Sequence, residues 1–152
     1  MTKTEETIKA EDIFTEFRKV CLPSGWKYAD GILKKFQKLQ NKDDFIDGAL
    51  QFLKTENDDI VRSWGTTLLE TIGSDKALDS LIEFLNGEDP TKKRDYMETR
   101  LFAVRAIKKL AENNPPRTQK MLKMFTKMAT DPDDATSAKV GAMVVLSADS
   151  AT

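Results

Sequence analysis

A helical hairpin is written into this chain three times, and that repetition narrows the fold more than any other feature. Phe45, Ile46, Ala49, Leu50 and Leu53 match Ala77, Leu78, Leu81, Ile82 and Leu85 in character at an offset of 32 residues. Val61, Arg62, Gly65, Leu68, Leu69 and Ile72 correspond to Thr99, Arg100, Ala103, Ala106, Ile107 and Leu110 at an offset of 38. A third copy carries Met121, Met124, Phe125 and Met128 in its first helix and Lys139, Ala142, Val145 and Leu146 in its second. Each pair of helices is too small to bury its own apolar face, so stacked copies must bury one continuous core. That predicts an all-α solenoid of about four helical hairpins. The chain has neither sustained apolar–polar alternation nor an Asn-Gly hairpin, so nothing in it asks for a strand.

The boundaries follow from the breakers and caps. Residues 1–9 are polar and mixed in charge and read as a flexible N-terminal tail, without the apolar stretch of a signal peptide. Residues 10–152 read as a single repeat domain. Its first part, 10–40, is a capping hairpin with Ile13, Phe14, Phe17 and Val20 in one helix and Ile32, Leu33, Phe36 and Leu39 in the other, separated at Pro23-Ser24-Gly25. Repeats follow at 43–73, 75–113 and 115–149. Asp43 and Asp44 open the first repeat, where acidic residues suit a helix N-terminus. Asn57 or Asp58 can cap its second helix, and Gly73 followed by Ser74 or Asp75 ends that helix and starts the next. Pro115-Pro116 opens the third repeat. The turn inside repeat two, Asn86 to Arg94, is six residues longer than its counterpart, and insertions in such turns project from one edge.

Composition removes several classes of chemistry. There is no histidine, which takes away the side chain that titrates nearest neutrality and the commonest transition-metal ligand. Cys21 is the one cysteine. It can form no internal disulfide and has no histidine to activate it, and it points to a reducing, cytoplasmic setting. Lys plus Arg total 24 and Asp plus Glu total 25, so net charge exerts no general pull on nucleic acid or anionic lipid. The longest apolar run, Val140 to Leu146, is far below the ~20 residues that cross a bilayer. Asp131, Asp133 and Asp134 resemble a fragment of a calcium loop but lack its glycine and its twelfth acidic ligand. A capped turn is expected there, and no metal or cofactor.

Asp59, Ile60, Val61 and Arg62 opening a second helix, then Leu68, Leu69, Ile72 and Gly73, then Ser74, Asp75, Ala77, Leu78 and Leu81, together resemble HEAT repeats. The closer likeness is to the short prokaryotic HEAT-like repeat of phycobilin-lyase-related proteins, over roughly Asp43 to Leu146. The resemblance implies a right-handed, armadillo-type superhelix whose second helices line a concave face. The implied family holds scaffolds, adaptors, some nucleic-acid binders and a few enzymes, and a fold does not choose among them.

The candidate site residues are therefore charged residues in repeat columns. Arg62, Arg100 and Lys139 share one column of the second helices, and Arg105 and Lys108 lie on the polar face of repeat two. These five are the candidate partner-binding residues. At about 100° per residue, Arg62 and Arg100 fall at the edge of the apolar face, so the alternative is an internal ladder of cations bonded to carbonyls or to Asp58, Asp59, Asp95 and Asp134. Lys93 and Arg94 in the long turn, with Lys120, Lys123 and Lys127 on the first helix of repeat three, are the candidate phosphate contacts. No interleaved aromatics accompany them to stack single-stranded bases. Met121, Met124 and Met128 read as core, as does Trp64, which aligns with Phe102.

The last helix breaks the pattern. Val140, Ala142, Met143, Val144, Val145 and Leu146 make it apolar nearly all round, whereas a terminal repeat should present a polar outer face. That end is expected to be covered by another chain, a second copy of this one being a candidate, or by further repeats. The leading functional expectation is a non-catalytic protein–protein interaction scaffold or adaptor. The alternatives are a nucleic-acid-binding HEAT-like protein and, by the family resemblance, a pigment or cofactor lyase.

Overall fold

In the computed structural model, described residues are 30–31, 33–34, 36–87, 97–132, 139–142 and 144. Every regular element among them is a helix. A 3-10 turn, Lys42–Phe45, leads into α1 (Ile46–Thr55). It is followed by α2 (Asp59–Ile72), α3 (Asp75–Gly87), α4 (Met97–Ala111) and α5 (Pro115–Thr130). The described positions within 30–37 and 139–144 are also helical. Trp26, Tyr28, Cys21, Lys93, Arg94, Asp133 and Asp134, with most of the capping hairpin and the long turn, lie outside the described residues.

Local chemistry explains the breaks. The Asp43–Asp44 pair sits in the tight 3-10 turn, and α1 itself begins at Ile46. Asp58 caps α2, its carboxylate accepting from the Val61 amide at 3.0 Å. Gly73 ends α2 in the left-handed region at φ 74°, donating to the Leu69 carbonyl, a conformation that glycine adopts without strain. One residue on, the Ser74 hydroxyl accepts from the Ala77 amide and starts α3. At the next junction Asn113 takes the left-handed conformation (φ 56°), and the Asn114 side chain accepts from the Arg117 amide ahead of the two prolines of α5.

Helices of like rank pack on one another. α1 packs on α3 and α3 on α5, while α2 packs closely on α4. The two sets also meet, α1 on α2, α3 on α4 and α4 on α5. Leu53, Leu68, Leu69, Leu78, Leu81, Ile107 and Phe125 are fully buried in one apolar cluster that runs from Leu33 to Ala142. Met121, Met124 and Met128 belong to it, as does Trp64. Phe36 joins the preceding helical residues to this core through an edge-on contact with Phe45, ring centres 4.9 Å apart. The buried hydroxyls of Ser63, Thr66 and Ser80 each donate to a carbonyl one turn back in their own helix, which meets their hydrogen-bonding needs without a partner helix.

Candidate interaction surface

Charged side chains divide into those that hold the helices together and those that face outward. Arg62 is 1 % exposed and Arg100 is 0 % exposed. Arg62 Nε donates to the Leu53 carbonyl, one of the carbonyls a helix leaves over at its C-terminus. Its guanidinium lies 4.9 Å from the centre of the Phe84 ring, within cation–π range. It thus joins α1, α2 and α3 at one point. Lys139 makes a similar contact, its Nζ donating to the Asp131 carbonyl at 2.9 Å at the end of α5. The column Arg62–Arg100–Lys139 is accordingly internal for its two arginines, whose side chains no partner can reach.

Two further ties join helices that are distant in the chain. Asp59, in the first turn of α2, caps the neighbouring second helix. Its carboxylate accepts from the Glu98 amide at 2.8 Å and from the Thr99 amide at 3.0 Å, and also from the Thr99 hydroxyl at 2.6 Å. One carboxylate therefore satisfies two free amides of α4 and lies against the positive end of its dipole. Asp59→Ala is expected to cost about 1–2 kcal/mol, with Asp59→Asn costing less. Thermal melts would rank the two, and faster amide exchange confined first to the start of α4 would locate the effect. The second tie is Arg117. It binds Asp75 at 2.6 Å and donates to the Leu110 and Gly73 carbonyls, each at 3.1 Å. The ends of α2 and α4 are thereby joined to the start of α3 and the first turn of α5. Sequence reasoning missed both, because their partners lie about forty residues away. For Arg117 the available signal was the two helix C-termini, at Gly73 and near Ala111, needing donors for their last carbonyls; for Asp59 it was the free amides at the start of α4.

The lysine stripe of α5 is partly occupied. Lys120 forms an ion pair with Asp79 of α3 at 2.8 Å, and the bond to that carboxylate holds its ammonium above the usual lysine range. Lys123 and Lys127 are exposed on the same helix. Among the described residues no group of three or more metal-ligating side chains comes together, and no helix is long and apolar enough to cross a membrane.

The outward face of α4 holds Arg105 and Lys108, both exposed. Arg105 is held in place, its guanidinium carbon 5.6 Å from the centre of the half-buried Phe102 ring. No protein-family model, curated protein or solved structure matches this chain.

Beside that outward face, Glu70 of α2 faces Lys109 of α4 and Glu112 in the turn that follows that helix. Burial raises the pKa of its carboxyl; Lys109 opposes that rise and Glu112 adds to it. The folded state therefore binds this proton more tightly than the unfolded chain does. Ionised Glu70 costs stability in full above its folded pKa; the cost shrinks as pH falls below that value and is gone below the pKa of the unfolded chain. Glu70→Gln is expected to raise the melting temperature near pH 7 by a small amount, within the ~0.5 kcal/mol usual for sites near the surface. The gain should shrink in acid. Melts of both proteins across the carboxylate range check the sign.

Proposed function

We propose that this chain is a right-handed, HEAT-like α-solenoid acting as a non-catalytic protein-binding scaffold. Its contact surface is the outward face of α4, with Arg105 and Lys108 as anchors for an acidic segment of the partner. The observation that carries this reading is the stacking of Arg105 on Phe102. A surface arginine normally loses side-chain entropy when it binds; one already resting on an aromatic ring has less to lose. Arginines beside aromatic rings are also the residues in which interface energy concentrates. The like-on-like packing of α1, α3 and α5, and of α2 with α4, supports the solenoid part of the proposal. Burial of Arg62 and Arg100 supports assigning the contact to Arg105 and Lys108.

The test is affinity capture from native extract, with and without nuclease, using wild type and Arg105→Glu/Lys108→Glu. The expected result is a stoichiometric protein partner that survives nuclease and is lost at least tenfold from the double variant, a change of about 1.4 kcal/mol. Both positions are exposed, so the melting curve should move by no more than a few degrees, the effect of losing the Phe102 contact and of placing a carboxylate in the last turn of α4. Partners that disappear with nuclease would replace this reading with nucleic-acid binding through Lys123 and Lys127.

A further inference from the structure

We infer that Asn86-Gly87, the last two residues of α3, is a self-modification site, where the chain converts its own asparagine to aspartate and isoaspartate. The reacting groups are neighbours in the chain. The Gly87 backbone nitrogen attacks Asn86 Cγ, the Cγ–Nδ2 bond breaks, and ammonia leaves with the proton that the Gly87 amide gives up. The product is a succinimide ring. Water then opens it at either carbonyl. Opening at Cγ leaves aspartate; opening at the backbone carbonyl leaves isoaspartate, with the chain running on through Cγ. The sum is one water taken up and one ammonia released, so the step requires no oxidant, metal or second protein.

Sequence and structure select this asparagine over the others. Asn41, Asn57, Asn113 and Asn114 are followed by Lys42, Asp58, Asn114 and Pro115, and Asn86 by a glycine. A side chain on the following residue crowds the ring, and Gly87 has none. A Cβ built at Gly87 would meet nothing within 4 Å, so the surrounding structure leaves the ring room to form. Both residues are exposed. Asn114 is excluded twice, because Pro115 has no amide hydrogen to give up and the Asn114 side chain accepts from the Arg117 amide.

Placement at the helix end sets the rate. Inside a helix the Gly87 amide is committed to a carbonyl one turn back, which holds it away from Asn86 Cγ. A terminal turn opens at far less cost than the whole fold, and glycine weakens it further. Phe84 and Leu85, 4 % and 1 % exposed, fix the chain just before the site, so the core stays closed while that turn opens. Conversion makes the opening permanent. The new carboxylate sits at the negative end of the α3 dipole, and isoaspartate lengthens the backbone by a methylene, which puts the Gly87 amide out of register. The converted protein keeps its core and loses the last turn of α3, at the entrance to the long turn of repeat two. This site is separate from Arg105 and Lys108, and the inference does not depend on the proposed partner there.

Incubation of the full chain at mildly alkaline pH, folded and in urea, tests it, with peptide mapping by mass spectrometry over time. Methyl transfer by an isoaspartate-specific carboxyl methyltransferase counts the isoaspartate. The exchange of ammonia for water changes the mass, which distinguishes this reaction from ring formation at Asp30-Gly31 or Asp47-Gly48. The unfolded chain sets the clock, since nothing there restrains the Gly87 amide. Folded protein is expected to convert at Asn86 ahead of Asn41, Asn57, Asn113 and Asn114, at a rate within about tenfold of the unfolded chain, as for a segment that opens at little cost. Gly87→Ala should slow conversion by roughly tenfold, through crowding of the ring and a firmer last turn, and leave the fold intact. Folded protein that stays unconverted while the unfolded chain reacts to completion overturns the inference. Conversion of another asparagine as fast as Asn86, or of Gly87→Ala at the wild-type rate, overturns it as well.

Discussion

Replacing Arg62 by alanine is expected to lower the unfolding free energy by about 3 kcal/mol or more, the range for emptying a large buried site. For a chain of this size that corresponds to a fall of roughly 10 °C in melting temperature. Two losses combine. The side chain is among the largest fully buried ones, so truncation opens a cavity between α1, α2 and α3. The Leu53 carbonyl also loses its donor, and a buried acceptor left without one costs about 1–3 kcal/mol. Arg62→Met separates these effects, since it refills most of the volume and restores neither the hydrogen bond nor the charge over Phe84. A buried cation carries a large desolvation cost of its own, so methionine should recover a substantial part of the stability. Urea titrations of the three proteins give the comparison. Equal stability of Arg62→Ala and wild type would mean that the guanidinium does not tie the helices together.

The second large effect is expected at Gly65, where α2 crosses α1 with no room for a side chain. A Cβ there would lie 3.0 Å from Leu53 Cγ and Cδ2 and 3.3 Å from Phe52 Cδ2. Both neighbours are buried in the core, so neither can swing aside into solvent. Gly65→Ala sets this crowding against a helix-propensity gain of ~1 kcal/mol, and the balance should be a modest loss. Gly65→Val adds two more carbons and should cost about 3 kcal/mol, at the upper end of overpacking effects. The mechanism predicts a specific coupling. In a Leu53→Ala background the space is already open, so Gly65→Ala should become neutral or stabilising there. A double-mutant cycle measured by chemical denaturation reads that sign change directly. A cost that persists unchanged in the Leu53→Ala background would point away from the contact with Leu53.

How much of this was legible beforehand depends on the range of the interactions. The spacing of Leu68, Leu69 and Ile72, the glycine at 73 and the serine at 74 specify a helix, its end and the next start, because each acts within one turn of its own position. The methionines of α5 could be assigned to the core for the same reason, and Trp64 from its alignment with Phe102 in the next repeat. The start of α1 came out differently: Asp43 and Asp44 occupy a 3-10 turn and the α-helix begins at Ile46. Residues with short polar side chains compete for backbone hydrogen bonds, and a charge pair alone does not set the first α-helical turn.

The candidate contacts were legible only as columns. Arg62, Arg100 and Lys139 share a repeat position, yet which of them reaches solvent depends on what packs beside each helix. By angle alone Arg62 and Arg100 lie at the margin of the apolar face, which favours an internal ladder without naming the groups that each arginine would meet. Packing of α3 against α1 and α2 turns Arg62 inward beneath Phe84. On α4 no described helix covers the polar face, and Arg105 rests on Phe102 at the surface.

The sequence by itself therefore determined the helices from α1 to α5, most of their ends (the start of α1 excepted) and the apolar residues that join them, since these follow from periodicity and capping within a few residues. Tertiary structure alone decided which charges became structural. Asp59 finds the free amides of α4, Arg117 gathers the carbonyls of two helix ends, and Lys120 finds Asp79, each about forty residues away in the chain. A cation or a carboxylate takes its role from whatever unsatisfied group the fold brings within about 3 Å, and no local pattern encodes that distance.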